Sequence, residues 1–244
     1  IEAVIDYATA LGAREGDNPA RWRGHIEHLL PKPSRVHTVQ HLRALPWKDV
    51  TRFFKELSCL DGKAAAALRF IIITATRSGE VRHATWSEID LEEKIWTIPA
   101  QRTKVNKEHR VPLPDVGLLN IGMPRAEGDL VFPGGKSGKP LSDVAVSKVI
   151  RKLGYQVTCH GFRSCFRDWA GEATGHPREV IEAALGHKVG NRVEAAYARG
   201  DQIVKRRRLM DDWATFITSA QSKPIKLLTT PSQSDPATRT ERSA

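Results

Sequence analysis

The chain has 244 residues, with 38 Lys and Arg against 28 Asp and Glu, a formal net charge of +10. That length can bury one full core, and the charge favours a polyanionic partner, nucleic acid ahead of an anionic membrane, over an acidic one. No apolar run approaches the ~18 residues needed to span a bilayer, so no membrane partner is expected.

The opening segment lacks a basic n-region and a small-residue cleavage site, and is not read as a secretory signal. It starts without Met in a helical pattern, so the chain is expected to be a piece cut upstream. Cys59, Cys159 and Cys165 are odd in number with no CxxC pair. They predict neither a zinc site nor a disulfide framework, but buried free thiols in a reducing cytosol.

In chain order, apolar residues at 1, 4, 5, 8 and 11 predict a first helix, ended by Gly12, Gly16 and Asp17-Asn18-Pro19. Residues 31–46 have no clean period and carry Pro31, Pro33 and Pro46, which predicts a linker. Helices are expected over about 47–58 and 61–76, the second built on an alanine run and LRFIII. Ser78 is the expected N-cap of a short third helix, with Glu80 in its first turn, where a carboxylate is favoured. TWSEID, KIWTIP and HRVPL are short β-branched or aromatic segments separated by turn-like DLEE and KVNKE, the pattern of an antiparallel meander. Helices return at about 142–153, 161–174, 177–185, 191–198 and 202–218. Residues 221–244 are rich in Ser, Thr and Pro without an apolar period, and are expected to be disordered. The predicted class is α+β, mostly helical, with one small three-stranded antiparallel sheet.

Six residues could carry chemistry: Arg77, Lys104, His160, Arg163, His187 and Tyr197. Attack on a phosphodiester builds negative charge on oxygens that are already anionic. Without a metal, a site must supply fixed cations, a nucleophile and an acid for the leaving alkoxide. Arg77 and Arg163 suit the first task, because a planar guanidinium grips two phosphate oxygens and keeps its proton. His160 and Arg163 are three apart at a helix start, so they can share a face. Tyr197 needs help from a base or nearby cations to act as a nucleophile. Lys104 lies in a charged turn between two predicted strands, with Lys107 as its competitor. Each residue alone is better explained as a solvated or packing group. The two histidines, with no carboxylate ligand set, do not predict a metal site.

The order and flanks of these residues resemble the catalytic domain of the tyrosine recombinases, the phage-type integrase family, over about residues 45–218. The segment Thr74-Ala75-Thr76-Arg77-Ser78-Gly79-Glu80 resembles the family's T-G-x-R-x-x-E, with Ala75 in place of glycine. QRTKVNKEHRVPLP resembles its lysine hairpin, HGFR its H-x-x-R box, LGHK its second histidine box and EAAYARGD its nucleophile segment. VKRRRLMDDWATFI resembles the closing helix of integrases from prophages, satellite phages and genomic islands.

The resemblance implies that Tyr197 attacks the scissile phosphate to leave a 3′-phosphotyrosyl bond and a 5′-hydroxyl. It further implies that Arg77, Arg163 and His187 hold the phosphate oxygens, His160 assists proton transfer and Lys104 protonates the leaving oxygen, with no ATP, metal or other cofactor. It makes residues 1–30 the end of a helical core-binding domain, 31–46 a linker, 47–220 the catalytic domain and 221–244 a tail. The partners implied are double-stranded attachment-site DNA, three further copies in a tetramer of the full-length protein, and an accessory DNA-bending protein, in the bacterial cytoplasm at the nucleoid. The competing readings are a non-catalytic DNA-binding remnant of an integrase, a type IB topoisomerase and a metal-dependent nuclease.

Overall fold

A computed structural model describes residues 1–31, 43–135, 138–187 and 201–219. The chain divides into two compact units, Ile1–Leu42 and Arg43–Ala244. In the first, α1 (Glu2–Ala10) is followed by a single 3-10 turn, Ile26–His28. No residue of α1 is buried, and Val4, Tyr7 and Leu11 stand exposed.

The second unit is built around one helix. α2 (Val50–Ser58) buries Val50, Phe53, Phe54 and Leu57, an i, i+3, i+4, i+7 stripe on a helix whose other face is polar. α3 (Lys63–Thr74) is buried nearly all round, from Ala65 through Phe70 to Thr74, because the alanines let neighbours approach and the LRFIII run fills the space between them. The expected 61–76 helix ends early, at Ala75, whose backbone is left-handed (φ 50°, ψ 28°). α4 (Ser78–Arg82) follows. Here the expected cap is corrected: the N-cap is Arg77, not Ser78. Glu80 supplies the capping carboxylate, and the Ser78 hydroxyl is turned away to donate to Asp143 at 3.0 Å.

The sheet is β1 (Ile89–Asp90), β2 (Ile95–Ile98) and β3 (His109–Pro112), antiparallel in that order. Trp96 faces both Ile89 and Val111, and Ile98 faces His109. Only the end of TWSEID is strand, since Trp86–Glu88 forms a 3-10 turn. A helix not anticipated from sequence, α5 (Asp115–Ile121), comes next. Its seven residues include Gly117 and Asn120, poor helix formers. It forms where Gly117 lies against α3, so close that an added Cβ would stand 3.4 Å from Ile73 Cγ2.

α6 (Asp143–Lys152), α7 (Gly161–Ala173) and α8 (Arg178–Ala184) match the expected helices to within a few residues, and α6 is capped by Ser142. The helix expected at about 191–198 lies outside the described residues, as do the tail and most of the linker; Leu45, at the linker's end, is buried in the core. α9 (Ile203–Thr218) closes the unit against α2, α3, α7, α8 and β3. Its Trp213 and Phe216 join Trp169 and Phe166 in an aromatic cluster with centroid separations of 4.9–5.9 Å for the Trp213 pairs. Trp213 Nε1 also donates to Ile72 O at 2.8 Å, which ties α9 to the last turn of α3.

The three cysteines are free, but only Cys165 is buried. Cys59 is exposed, so the expectation of buried thiols fails there: it caps α2 on its outer side. Partial burial of Cys159 and full burial of Cys165 push both thiols up to about 12, which keeps them protonated and inert. Among the described residues, no helix is long and apolar enough to cross a membrane.

Candidate active site

Arg77 enters the site from the turn between α3 and α4. Its Nη1 donates to Glu80 Oε1 at 2.8 Å, and its backbone N–H donates to Glu80 Oε2 at 2.8 Å. Glu80 is 3% exposed, so this carboxylate is a buried anchor that leaves the rest of the guanidinium, 22% exposed, facing outward. The sequence reading placed Glu80 as a favourable charge in a helix first turn; the side-chain pair with Arg77 adds the purpose of that glutamate.

His160 and Arg163 enter from the start of α7, where His160 is the N-cap. The glycine between them is set by a close crossing: a Cβ on Gly161 would lie 2.5 Å from Arg43 O and 2.8 Å from Ala44 Cα. Arg163 is 4% exposed. Its Nη1 donates to Ala75 O at 2.5 Å, and its Nη2 donates to Leu185 O at 2.7 Å and reaches His187 Nε2 at 3.3 Å. Burial, then the nearby Arg77 charge, lowers Arg163 to about 10, which leaves it cationic at neutral pH.

His187 is delivered by the end of α8. Gly186 takes φ +61°, its N–H bonds Ala183 O at 3.1 Å, and the His187 N–H returns to Glu182 O at 3.0 Å. This is a Schellman closure, for which the glycine of LGHK is the suited residue. It folds His187 back over Glu182, whose Oε2 lies 2.6 Å from His187 Nδ1, while Arg167 Nε donates to Oε1 at 2.8 Å. The Leu185 carbonyl is left for Arg163. Sequence reasoning missed Glu182, because its contact with His187 exists only once the helix has ended in this turn.

Lys104 stands in the hairpin between β2 and β3. A 3-10 turn, Ala100–Arg102, precedes it. Arg102 pairs with Glu88 and donates from Nη1 to Glu80 O at 3.1 Å, which fastens the hairpin base to α4. The Thr103 hydroxyl donates to Lys107 O at 2.8 Å across the turn.

The charges of these groups disfavour protonation of His160. Partial burial comes first in lowering its imidazole below the ordinary value, followed by the charges of Arg163 and Arg77, the neighbouring His187 and the charge of Lys104. Five of the six residues picked from sequence lie among the described residues, and Arg163 joins the Arg77 turn to His187 through Ala75 O and His187 Nε2. The sixth, Tyr197, lies outside the described residues. Beneath the site sits a residue the sequence did not single out, His109, 9% exposed. Burial and the Arg206 and Arg163 charges lower it to about 3, against a hydrogen bond to the Ala184 backbone, so it is a neutral packing group. Its ring is what a Cβ on Gly186 would meet at 3.4 Å. Among the described residues, no group of three or more His, Cys, Asp or Glu is arranged to hold a metal ion.

A site of two arginines, two histidines and a lysine offers fixed positive charge with hydrogen-bond donors, suited to an oxyanion such as a phosphodiester. The pattern of the phage integrase family matches residues 43–202. The chain is 37% identical over 162 residues to prophage integrase IntA of Escherichia coli K12, covering 64% of this chain and 39% of that protein. It is 31% identical over 212 residues to the integrase of Enterobacteria phage P4, covering 78% of this chain and 48% of that one. It thus spans less than half the length of either relative. Among solved structures, the integrase from mycobacterium phage Brujita superposes with a TM-score of 0.56 at 18% identity, over 86% of this chain and 68% of that one. A lambda integrase dimer bound to a core site gives 0.53 at 15% identity, over 77% and 69%.

Proposed function

The chain belongs to the phage integrase family, and on that premise we propose that it is the catalytic part of a site-specific DNA recombinase that cuts and rejoins strands through a tyrosyl intermediate. The observation that carries this reading is the buried Arg163, which bonds the Ala75 carbonyl two residues before Arg77 and reaches His187 Nε2 at 3.3 Å, so that the two arginine boxes and the second histidine box meet. Tyr197 attacks the scissile phosphate, and its oxygen becomes bonded to the 3′-phosphate as the 5′-oxygen leaves. Arg77 and Arg163 neutralise the charge that builds on the phosphate oxygens, and His187 holds one of them. His160, kept below the ordinary histidine value and so neutral at physiological pH, accepts the tyrosine proton. Lys104 gives a proton to the leaving 5′-oxygen. The ester bond is exchanged rather than lost, so ATP is not needed, and the guanidinium groups fill the role a metal plays elsewhere.

Residues 47–220 form the catalytic domain in this reading, and residues 1–30 the end of a core-binding domain. The DNA partner is supported by solved relatives such as the Tn1549 transposon integrase, described in complex with circular intermediate DNA. Assembly of the full-length protein as a tetramer on attachment sites, help from a DNA-bending protein and work at the bacterial nucleoid complete the proposal.

The test is relaxation of supercoiled plasmid in EDTA at low salt, with covalent protein–DNA adducts scored in the same samples. Wild type is expected to relax DNA and form adducts, and Tyr197→Phe to do neither. A wild-type protein that binds DNA without either product would sink the enzymatic reading in favour of a DNA-binding remnant.

A further inference from the structure

We propose that Glu182 is a positioning residue for this site: it holds the proton of His187 on Nδ1 and presents Nε2 as a bare acceptor beside Arg163. The inference rests on His187 being part of the phosphate site. The Glu182 side chain is 15% exposed and both its oxygens receive donors, His187 Nδ1 at 2.6 Å and Arg167 Nε at 2.8 Å. Partial burial works to raise its carboxyl, but the hydrogen bonds from His187 and Arg167 prevail and hold it below the usual range. An ionised carboxylate has no proton to give, so the hydrogen in the 2.6 Å contact is the imidazole's. On the opposite side of the ring, Arg163 Nη2 at 3.3 Å has only protons to give. The two neighbours therefore select the same neutral tautomer.

The geometry has a chemical consequence. The Nε2 lone pair accepts from Arg163. Before His187 donates to a phosphate oxygen, Nε2 must take up one proton. The imidazolium so formed is then gripped between the Glu182 carboxylate and the bound anion, a charge-assisted arrangement on both sides. A ring without Glu182 is free to carry its proton on Nε2, where it meets the Arg163 N–H head-on.

The experiment uses the whole chain, labelled with 15N-histidine and free of DNA. Long-range proton–nitrogen correlation spectra at a pH where the ring is neutral report which nitrogen of His187 carries the proton, with His187→Gln assigning the signals. Wild type is expected to show protonated Nδ1 and bare Nε2. In Glu182→Gln, Arg167 still requires an oxygen, which turns the new amide NH2 toward Nδ1 and moves the imidazole proton to Nε2. That variant keeps the side-chain volume, and its plasmid relaxation is expected to fall about 10-fold or more, with DNA affinity unchanged. Glu182→Ala is expected to give a mixture of tautomers. A wild-type ring already protonated at Nε2, or a Glu182→Gln ring that keeps the wild-type tautomer, overturns the proposal. If wild type relaxes no plasmid, the recombinase reading fails, and the spectra still decide the role of Glu182.

Discussion

Arg163 Nη1 donates to the carbonyl oxygen of Ala75 at 2.5 Å, joining two residues 88 positions apart. Ala75 is 1% exposed and left-handed, and that turn aims its carbonyl at Arg163 while the chain runs on to Arg77. One bond thus couples the strained turn that carries the first arginine to the helix that carries the second. The left-handed backbone at Ala75 is one that glycine adopts without steric cost.

Replacement of Ala75 tests this account. A left-handed alanine costs about 1–2 kcal/mol. Ala75→Gly relieves that strain but loses a buried methyl worth about 0.8 kcal/mol and adds freedom to the unfolded chain worth about 0.4–1 kcal/mol. The terms nearly cancel, so Ala75→Gly is expected to unfold in urea within about 1 kcal/mol of wild type and to retain activity. Ala75→Val, β-branched in the same conformation, is expected to lose about 2 kcal/mol or more and most activity.

Arg163→Lys keeps the charge and loses the fork. An ammonium cannot span Ala75 O, Leu185 O and His187 Nε2, so a buried carbonyl is left unpaired, at a cost of about 1–3 kcal/mol. Catalysis is expected to drop further than stability, by about 10²–10³-fold. Adduct formation measured well below the variant's melting temperature separates the two effects. A lysine variant as active as wild type would show that the fork is dispensable.

Protonation of His109 gives the fold a pH dependence. Its folded value of about 3 lies below the ordinary 6.5, so between these limits the unfolded chain binds a proton that the native chain refuses. Stability from this group is complete above about pH 6.5 and is lost as pH falls, by up to about 1.4 kcal/mol per pH unit. His109→Gln, which keeps a donor but cannot titrate there, is expected to show a shallower fall between pH 7 and 4.5. Urea unfolding at the two pH values measures the difference, because the carboxylates titrate in both proteins.

The two hairpin lysines are expected to separate by function. Both lysines are exposed, but the Lys104 charge acts on His160, whereas the Lys107 backbone is stapled to Thr103. Lys104→Ala should slow cleavage by about 10²-fold or more and leave binding close to wild type. Lys107→Ala should weaken binding and flatten its salt dependence, with cleavage of bound DNA intact. A substrate with sulfur at the leaving 5′ position, which departs without an acid, should rescue the first variant only.

Much of this molecule was legible in one dimension because its signals are local. The 3.6-residue stripe of Val50, Phe53, Phe54 and Leu57, the meander rhythm and the box spacings each depend on neighbours a few residues away. Local signals misplaced the cap at Ser78 and passed over α5, whose weak helix formers are held by contact with α3. The linker, the tail and Tyr197 remain expectations from sequence.

By itself, then, the sequence determined which residue types stand in which boxes, the basic charge and the order of most elements, all encoded by spacing along the chain. Only the tertiary structure decided how the boxes meet. The Arg163 bond to Ala75 and the packing of His109 under Gly186 bring separate segments within 3.5 Å, while the Glu80 anchor of Arg77 and the Glu182 partner of His187 depend on how one helix starts and another ends. The short range of hydrogen bonds and desolvation is the reason: their partners are chosen by proximity in space.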